Sequence, residues 1–113
     1  MSMLSTFEDF ARACNENERL RQMNRDWNRT IVIETTDSHQ WYWLRSQKGV
    51  IEAGEGDVPY ADMHIEGTED IIQAVFSGQM SPTEPYNAGD LLVKGHQDDL
   101  MRLDIITLLI WGE

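Results

Sequence analysis

The nineteen residues "SGQMSPTEPYNAGDLLVKG", Ser77 to Gly95, carry two prolines and three glycines around an apolar skeleton of Met80, Tyr86, Leu91, Leu92 and Val93. Gly78 offers the left-handed backbone that ends a helix best. "SPTE", Ser81 to Glu84, has the form of a capping box with Pro82 at the first helical position. Pro85 and Gly89 hold that helix to about one turn. "DLLVKG", Asp90 to Gly95, then reads as a strand. No catalytic grouping is visible in this segment, so its punctuation shapes the chain rather than reacting with anything.

Upstream, Thr68 can cap a helix with Glu69 and Asp70 in its first turn, where the helix dipole favours acids. Ile71, Ile72, Val75 and Phe76 form its apolar side, and Gly78 closes it. "YADMHIEG", Tyr60 to Gly67, alternates. Ala61, Met63 and Ile65 share one face and Asp62, His64 and Glu66 the other, as in a strand with one wet side. "RTIVIETT" (Arg29 to Thr36), "QWYWLRS" (Gln40 to Ser46) and "VIEA" (Val50 to Ala53) are β-branched or aromatic and predict an antiparallel meander. "QKG", Gln47 to Gly49, is its tight turn, and "GEGDVP", Gly54 to Pro59, a loop. Trp41 and Trp43 fall on one face of the second strand and Tyr42 and Leu44 on the other, which predicts a sheet packed on both sides. At the start, "STFE" (Ser5 to Glu8) has capping-box form, and Phe7, Phe10, Ala11, Cys14 and Leu20 predict a helix from about Thr6 to Asn24.

Downstream, Asp98 and Asp99 open a last helix, "HQDDLMRLDIITLLIW". It begins amphipathic. From Ile105 to Trp111 only Thr107 is polar, and seven residues at 100° each sweep about 700°, so apolar groups ring the helix. Such a segment needs cover from core, a partner chain or a bound lipid.

The chain has 113 residues, enough for one domain, 1–113, with one core. With 41% hydrophobic residues and four Trp, disorder is excluded. The lone Cys14 makes no internal disulfide and suits a reducing compartment. "MSMLSTFEDFARAC" has no signal-peptide form, and no apolar run is long enough to span a bilayer. A cytoplasmic protein is therefore expected. The net charge is -11, and from Ala61 onward only Lys94 and Arg102 oppose ten acids. Such a surface repels phosphate backbones and anionic headgroups, which argues against nucleic acid and against stable membrane insertion.

His39, His64 and His96 lie 25 and 32 residues apart, without the short spacing of a zinc site. "GEGDVPY" lacks the ligand spacing of a calcium loop. "NRT", Asn28 to Thr30, fits the glycosylation pattern, which has no meaning without secretion. No nucleophile elbow, P-loop or dinucleotide fingerprint occurs. No metal, cofactor or catalytic residue is expected, and the chain is not read as an enzyme.

The order of elements resembles the sterol carrier protein type 2 family, the non-specific lipid-transfer domains. Gly78, Met80, Pro82, Tyr86, Gly89, Leu91, Val93 and Gly95 follow the family's glycine, proline, aromatic and "GxLxVxG" pattern in order. Asp62, Ile65, "GTEDI", "NRTIVIETTD" and Leu100, Met101 and Leu103 extend it over most of the chain. The resemblance implies an α+β domain whose five-stranded, mostly antiparallel sheet is covered by helices, with an apolar tunnel between them. That tunnel would hold a sterol, fatty acid or other lipid without catalysis. The lining expected from it is Trp43, Met63, Phe76, Met80, Tyr86, Leu91, Val93, Leu100, Met101, Leu103, Ile106, Leu109 and Ile110. Methionines among them suit an adaptable wall. Arg45, Lys48 and Lys94 are candidate headgroup contacts. The closing "IWGE" is not a peroxisomal address, and the acidity disfavours acyl-CoA against a neutral lipid or long-chain acid. The other reading is an interaction module, possible as a homodimer, whose apolar C-terminal helix packs on a second copy or a partner.

Overall fold

Residues 2–112 are described by a computed structural model. Ser2 caps α1 (Met3–Glu16), its Oγ accepting from the Ser5 amide at 3.1 Å. The helix therefore starts three residues before the capping box expected at Ser5. The single helix expected to Asn24 is broken at Asn17, which is extended and offers Oδ1 to the Leu20 amide at 3.1 Å, opening α2 (Glu18–Met23). A short amide side chain that competes for backbone partners makes a better cap than a helix interior.

The meander follows as β1 (Arg29–Thr35), β2 (Gln40–Gln47) and β3 (Val50–Glu55). Gln47 pairs with Val50, leaving Lys48 and Gly49 as a two-residue loop with φ of 53° and 84°. Two positive φ values match the right-handed twist of the hairpin. β3 runs two residues beyond the expected Ala53, because Gly54 stays paired with Trp43 and its missing side chain leaves room for the Trp43 indole.

β4 (Met63–Gly67) starts later than Tyr60. Asp62 is occupied as a clamp: its carboxylate accepts from the Thr30 amide at 2.8 Å and from the Tyr60 hydroxyl at 2.9 Å. α3 (Glu69–Phe76) is capped by Thr68 and followed by Gly78 at φ 86°. α4 (Thr83–Ala88) begins after Pro82, whose side chain offers no acceptor; the Ser81 hydroxyl accepts from the Thr83 amide at 3.4 Å and donates to Asp104 Oδ1 at 2.6 Å. β5 is short (Leu92–Gly95), and α5 (Gln97–Trp111) closes the chain.

The strand order is β3-β2-β1-β4-β5. β1 and β4 are parallel, and the other pairings are antiparallel. One face of the sheet presents Ile31, Ile33, Tyr42, Leu44, Ile51, Met63 and Ile65 to the helices, which answer with Phe7, Phe10, Leu20, Ile72, Val75, Phe76, Leu103 and Ile106. The opposite face carries Trp41, Trp43, Glu34, His64 and Glu66 half-buried and Leu92 and Lys94 exposed; of it, only Val32 is fully buried, apart from the core cluster. Packing on both sides, as the alternation at Trp41 to Leu44 suggested, does not occur; the helices take the Tyr42 and Leu44 side.

A buried polar node ties the N-terminus of α5 to the start of the sheet. Trp27 Nε1 donates to Asp99 Oδ1 at 2.9 Å, and Arg29 Nε reaches both Asp99 oxygens at 3.2 Å. Arg102 donates to the Met23 carbonyl at 2.8 Å and lies over the Trp27 ring.

Candidate ligand site at the C-terminal helix

Side chains fill the space between sheet and helices. Phe7, Phe10, Phe76, Ile33, Met63, Ile65, Leu103 and Ile106 are all essentially inaccessible. Aromatic rings run through this interior in a row. Tyr42 on the sheet meets Phe7 at 5.1 Å between centroids, Phe7 meets Phe76 at 5.0 Å, and Phe76 meets Phe10 at 5.2 Å. Phe10 meets Trp111 at 5.9 Å, and Trp111 is 36% exposed, so the row reaches the surface there. Tilted and edge-on pairs at these distances are the favourable arrangements of aromatic quadrupoles.

Trp111 is seated by a glycine. A Cβ on Gly78 would clash with Cγ and Cδ2 of the indole, so the bare glycine, at φ 86°, lets the last turn of α5 close on the end of α3 with the ring in this place. Clefts open on both sides of the indole. One, about 180 Å³, lies between the Gly78, Met80 and Ser81 segment and Asp104, Thr107 and Leu108 of α5. The other, about 200 Å³, lies between Thr6, Asp9 and Ala13 of α1 and Gln73, Phe76 and Ser77. Each is smaller than the roughly 300 Å³ at which ligand pockets begin. Trp111 is the wall they share; its ring packs on Phe10, and Phe76 lines the second cleft. The Ser77 hydroxyl, on the second cleft, is buried and has no hydrogen-bond partner among the described residues. Asp104 and Asp9 put a carboxylate on each cleft; Arg12 pairs with Asp9 at 2.9 Å.

The lining expected from sequence is distributed unevenly. Met63, Phe76, Leu91, Leu103 and Ile106 are buried in the common core, with Val93, Leu109 and Ile110 packed against it. Met80 lines the first cleft and Phe76 the second. Leu100 is buried outside that cluster. Trp43 is not brought to the site, since it alternates with Tyr42 and Leu44 and so points to the other face of the sheet. Tyr86 and Met101 face outward, Met101 at 56% exposure. Arg45 lies over Trp43 and pairs with Glu52, and Lys94 pairs with Glu66, both on that far face; Lys48 sits in the β2–β3 turn. None of these three cations lines either cleft. Trp111, Gly78, Ser77, Thr107 and Leu108 were missed as site residues. The helical spacing of Asp104, Thr107, Leu108 and Trp111, which places them on one face, is the signal that marks them.

The apolar ring expected on α5 is covered on one side. Ile106 is buried and Leu109 and Ile110 partly so, while Met101, Ile105 and Leu108 form an exposed stripe. No helix is long and apolar enough to cross a membrane among the described residues.

Comparison with known proteins bears on this arrangement. No curated protein sequence matches the chain. Among solved structures, sterol carrier protein 2 from Yarrowia lipolytica is 17% identical, with 100% of this chain and 97% of that one covered at a TM-score of 0.69. The ubiquinone synthesis protein UbiJ-SCP2 is 12% identical over 91% and 90%, at 0.72. The sec-alkylsulfatase Pisa1 from Pseudomonas sp. is 16% identical over 76% of this chain at 0.66, and the chain spans 14% of that enzyme's length. These likenesses establish the fold. The model of the SCP-2 sterol transfer family matches residues 7–106. Since that match covers most of the chain, from Phe7 in α1 to Ile106 in α5, the chain belongs to the SCP-2 sterol transfer family.

Proposed function

We propose that this chain binds an uncharged hydrophobic ligand, as a carrier or as an accessory module to an enzyme, with no catalytic step of its own. The observation that carries this reading is Trp111, seated on Gly78 between two clefts at the surface end of a buried aromatic row. Lifting one side chain gives a lipid access to Phe10 and Phe76 without unfolding the sheet. Burying a sixteen-carbon chain at about 0.8 kcal/mol per methylene gives roughly 12 kcal/mol before ordering losses. Association and ordering remove several kcal/mol of that, which leaves micromolar affinity. The clefts discriminate by charge. Asp104, which has no cationic partner among the described residues, opposes an anionic headgroup at the first cleft, whereas a hydroxyl or carbonyl can pair with the Ser77 hydroxyl at the second. A sterol or long-chain alcohol is therefore preferred to a fatty-acid anion or acyl-CoA. The buried, unpaired Cys14 suits work in the cytoplasm.

The test is titration with a fluorescent sterol, displaced by unlabelled cholesterol, hexadecanol or palmitate, together with native mass spectrometry of protein taken from cells. Saturable binding displaced better by the alcohols than by palmitate supports the reading. No saturable binding to the wild type or to Trp111→Ala sinks it.

The exposed stripe Met101, Ile105 and Leu108 favours a second reading, in which α5 docks on a second copy or a partner enzyme. Sedimentation of Ile105→Glu against wild type separates the two. A change of mass with unchanged sterol affinity assigns the stripe to association and leaves the clefts to the ligand.

A further inference from the structure

The far face of the sheet carries a cluster that carrier chemistry does not use. β1 and β4 lie parallel, with Glu34 beside Glu66 and Val32 beside His64. His64 and Glu66, two apart on β4, share a face, so the register sets three metal-ligating side chains in a triangle. One donor atom from each of Glu34, His64 and Glu66 lies within 4.8 Å of the others. His64 Nε2 is 3.8 Å from Glu34 Oε1, too far for a hydrogen bond. That nitrogen is shielded from solvent and has no hydrogen-bond partner among the described residues. The Trp41 ring, 5.4 Å from the imidazole at a tilt of 32°, covers one side of the cluster. We infer that Glu34, His64 and Glu66 form a binding site for a first-row divalent transition-metal ion such as zinc.

The donor set and its spacing both suit such an ion. One imidazole and two carboxylates are borderline ligands, accepted by zinc and its neighbours. Zinc bonds of about 2.0 to 2.2 Å in a tetrahedral shell put adjacent donors about 3.4 Å apart. The observed 3.8 Å closes to that by small rotations of side chains on a rigid sheet. Two carboxylates balance the charge of the ion, and the unpartnered Nε2 gains the bond it lacks. Lys94 Nζ, 3.6 Å from Glu66 Oε2, competes for that carboxylate, and being largely exposed it can turn to solvent when the ion enters. Three protein donors leave a fourth position for water.

Calorimetric titration of the metal-free full chain with zinc tests the site, with cobalt(II) quenching of tryptophan fluorescence as a second readout through Trp41. One saturable ion per chain is expected. His64→Ala and the near-isosteric Glu66→Gln should each weaken it by roughly tenfold or more, with an unchanged circular dichroism spectrum. Lys94→Gln should tighten it about threefold. The inference is overturned by the absence of saturable binding up to roughly 1 mM zinc. It is equally overturned by binding that both site variants leave intact, which would place the ion elsewhere, for example at the exposed pair His96 and Asp98. Sterol binding plays no part in either readout, so this test stands or falls separately from the carrier reading.

Discussion

At the scale of single residues, Asp99 is the most exposed to failure. It is buried, and its carboxylate serves both the Trp27 indole and the Arg29 guanidinium. Asp99→Ala leaves the indole N–H without its partner in an apolar place and the guanidinium without its counter-charge. Loss of about 2 to 3 kcal/mol is expected, read as a lower urea midpoint at unchanged slope. Asp99→Asn, which can still accept one hydrogen bond, should lose less. Cys14 behaves in the opposite way, gaining from isolation. Burial pushes its thiol from 9.0 up to about 12, so at pH 8 the folded chain presents almost no thiolate. A thiol reagent should modify it only at the rate of unfolding, and rapidly in 6 M urea or guanidinium. The sign for stability follows. The folded state holds the proton more tightly, so this contribution is complete below pH 9 and declines between pH 9 and 12, by about 1.4 kcal/mol per unit. Cys14→Ala should therefore lose less stability than wild type between pH 9 and 10.5.

At the scale of elements, what was legible in the sequence was local. The glycines of the Ser77 to Gly95 stretch announced their turns because positive φ is a property of one residue, and Gly78 and Gly89 both adopt it. Alternation at Met63 and Ile65 and helical spacing at Ile72, Val75 and Phe76 gave the buried faces directly. Competing caps defeated the first helix: Ser2 and Asn17 each offered a side-chain acceptor three residues ahead of a free amide, and pattern alone does not choose between Ser2 and Ser5. Pairing across the sheet was out of reach. The parallel register of β1 and β4 brings residues 32 positions apart side by side, setting Glu34 diagonal to His64, and no linear spacing of His64 reports Glu34. The site on α5 was half legible. Its apolar character was plain, but which side meets core depends on where α1 and α3 stand. That junction makes a prediction at Gly78. Gly78→Ala adds a methyl group where the indole lies and forces a non-glycine residue to φ 86°. A loss of about 1 to 2 kcal/mol from the left-handed backbone is expected. With Trp111 expelled, its emission should shift to the red, and the shift should vanish in a Trp111→Phe background. A sterol carrier gated at this point should bind its probe faster in Gly78→Ala, since the indole no longer has to leave first. A variant with unshifted emission and unchanged on-rate would place the entrance elsewhere.

At the scale of the whole molecule, charge and ligand choice bear on one another. The net charge of -11 is concentrated after Ala61, where Lys94 and Arg102 stand against ten acids. Lys94 is already paired with Glu66 and Arg102 is turned inward to Met23 and Asn24, so neither offers a free cation beside the clefts. On the carrier reading the ligand enters beside Trp111, where Asp104 on the first cleft has no cationic partner among the described residues and Asp9 on the second is paired with exposed Arg12. To exchange a lipid with a bilayer by contact, this side must approach headgroups. Against zwitterionic vesicles that approach meets little electrostatic opposition. Against vesicles rich in anionic lipid it meets like charge, screened over about 10 Å at 0.1 M salt. Transfer of a fluorescent sterol from the loaded protein should therefore be several-fold slower to anionic than to zwitterionic vesicles at low salt. Raising the salt to 0.5 M should bring the two rates together, while leaving the zwitterionic rate nearly constant. Replacing Asp9 and Asp104 by Asn should narrow the gap without added salt. Faster transfer to anionic vesicles would mean that a surface other than the Trp111 end meets the membrane. Equal rates at every salt concentration would mean that the sterol leaves through water before any encounter, which a gate controlled only by Trp111 also permits. Gly78→Ala then separates these cases, because it accelerates release through water and leaves the electrostatics of contact untouched.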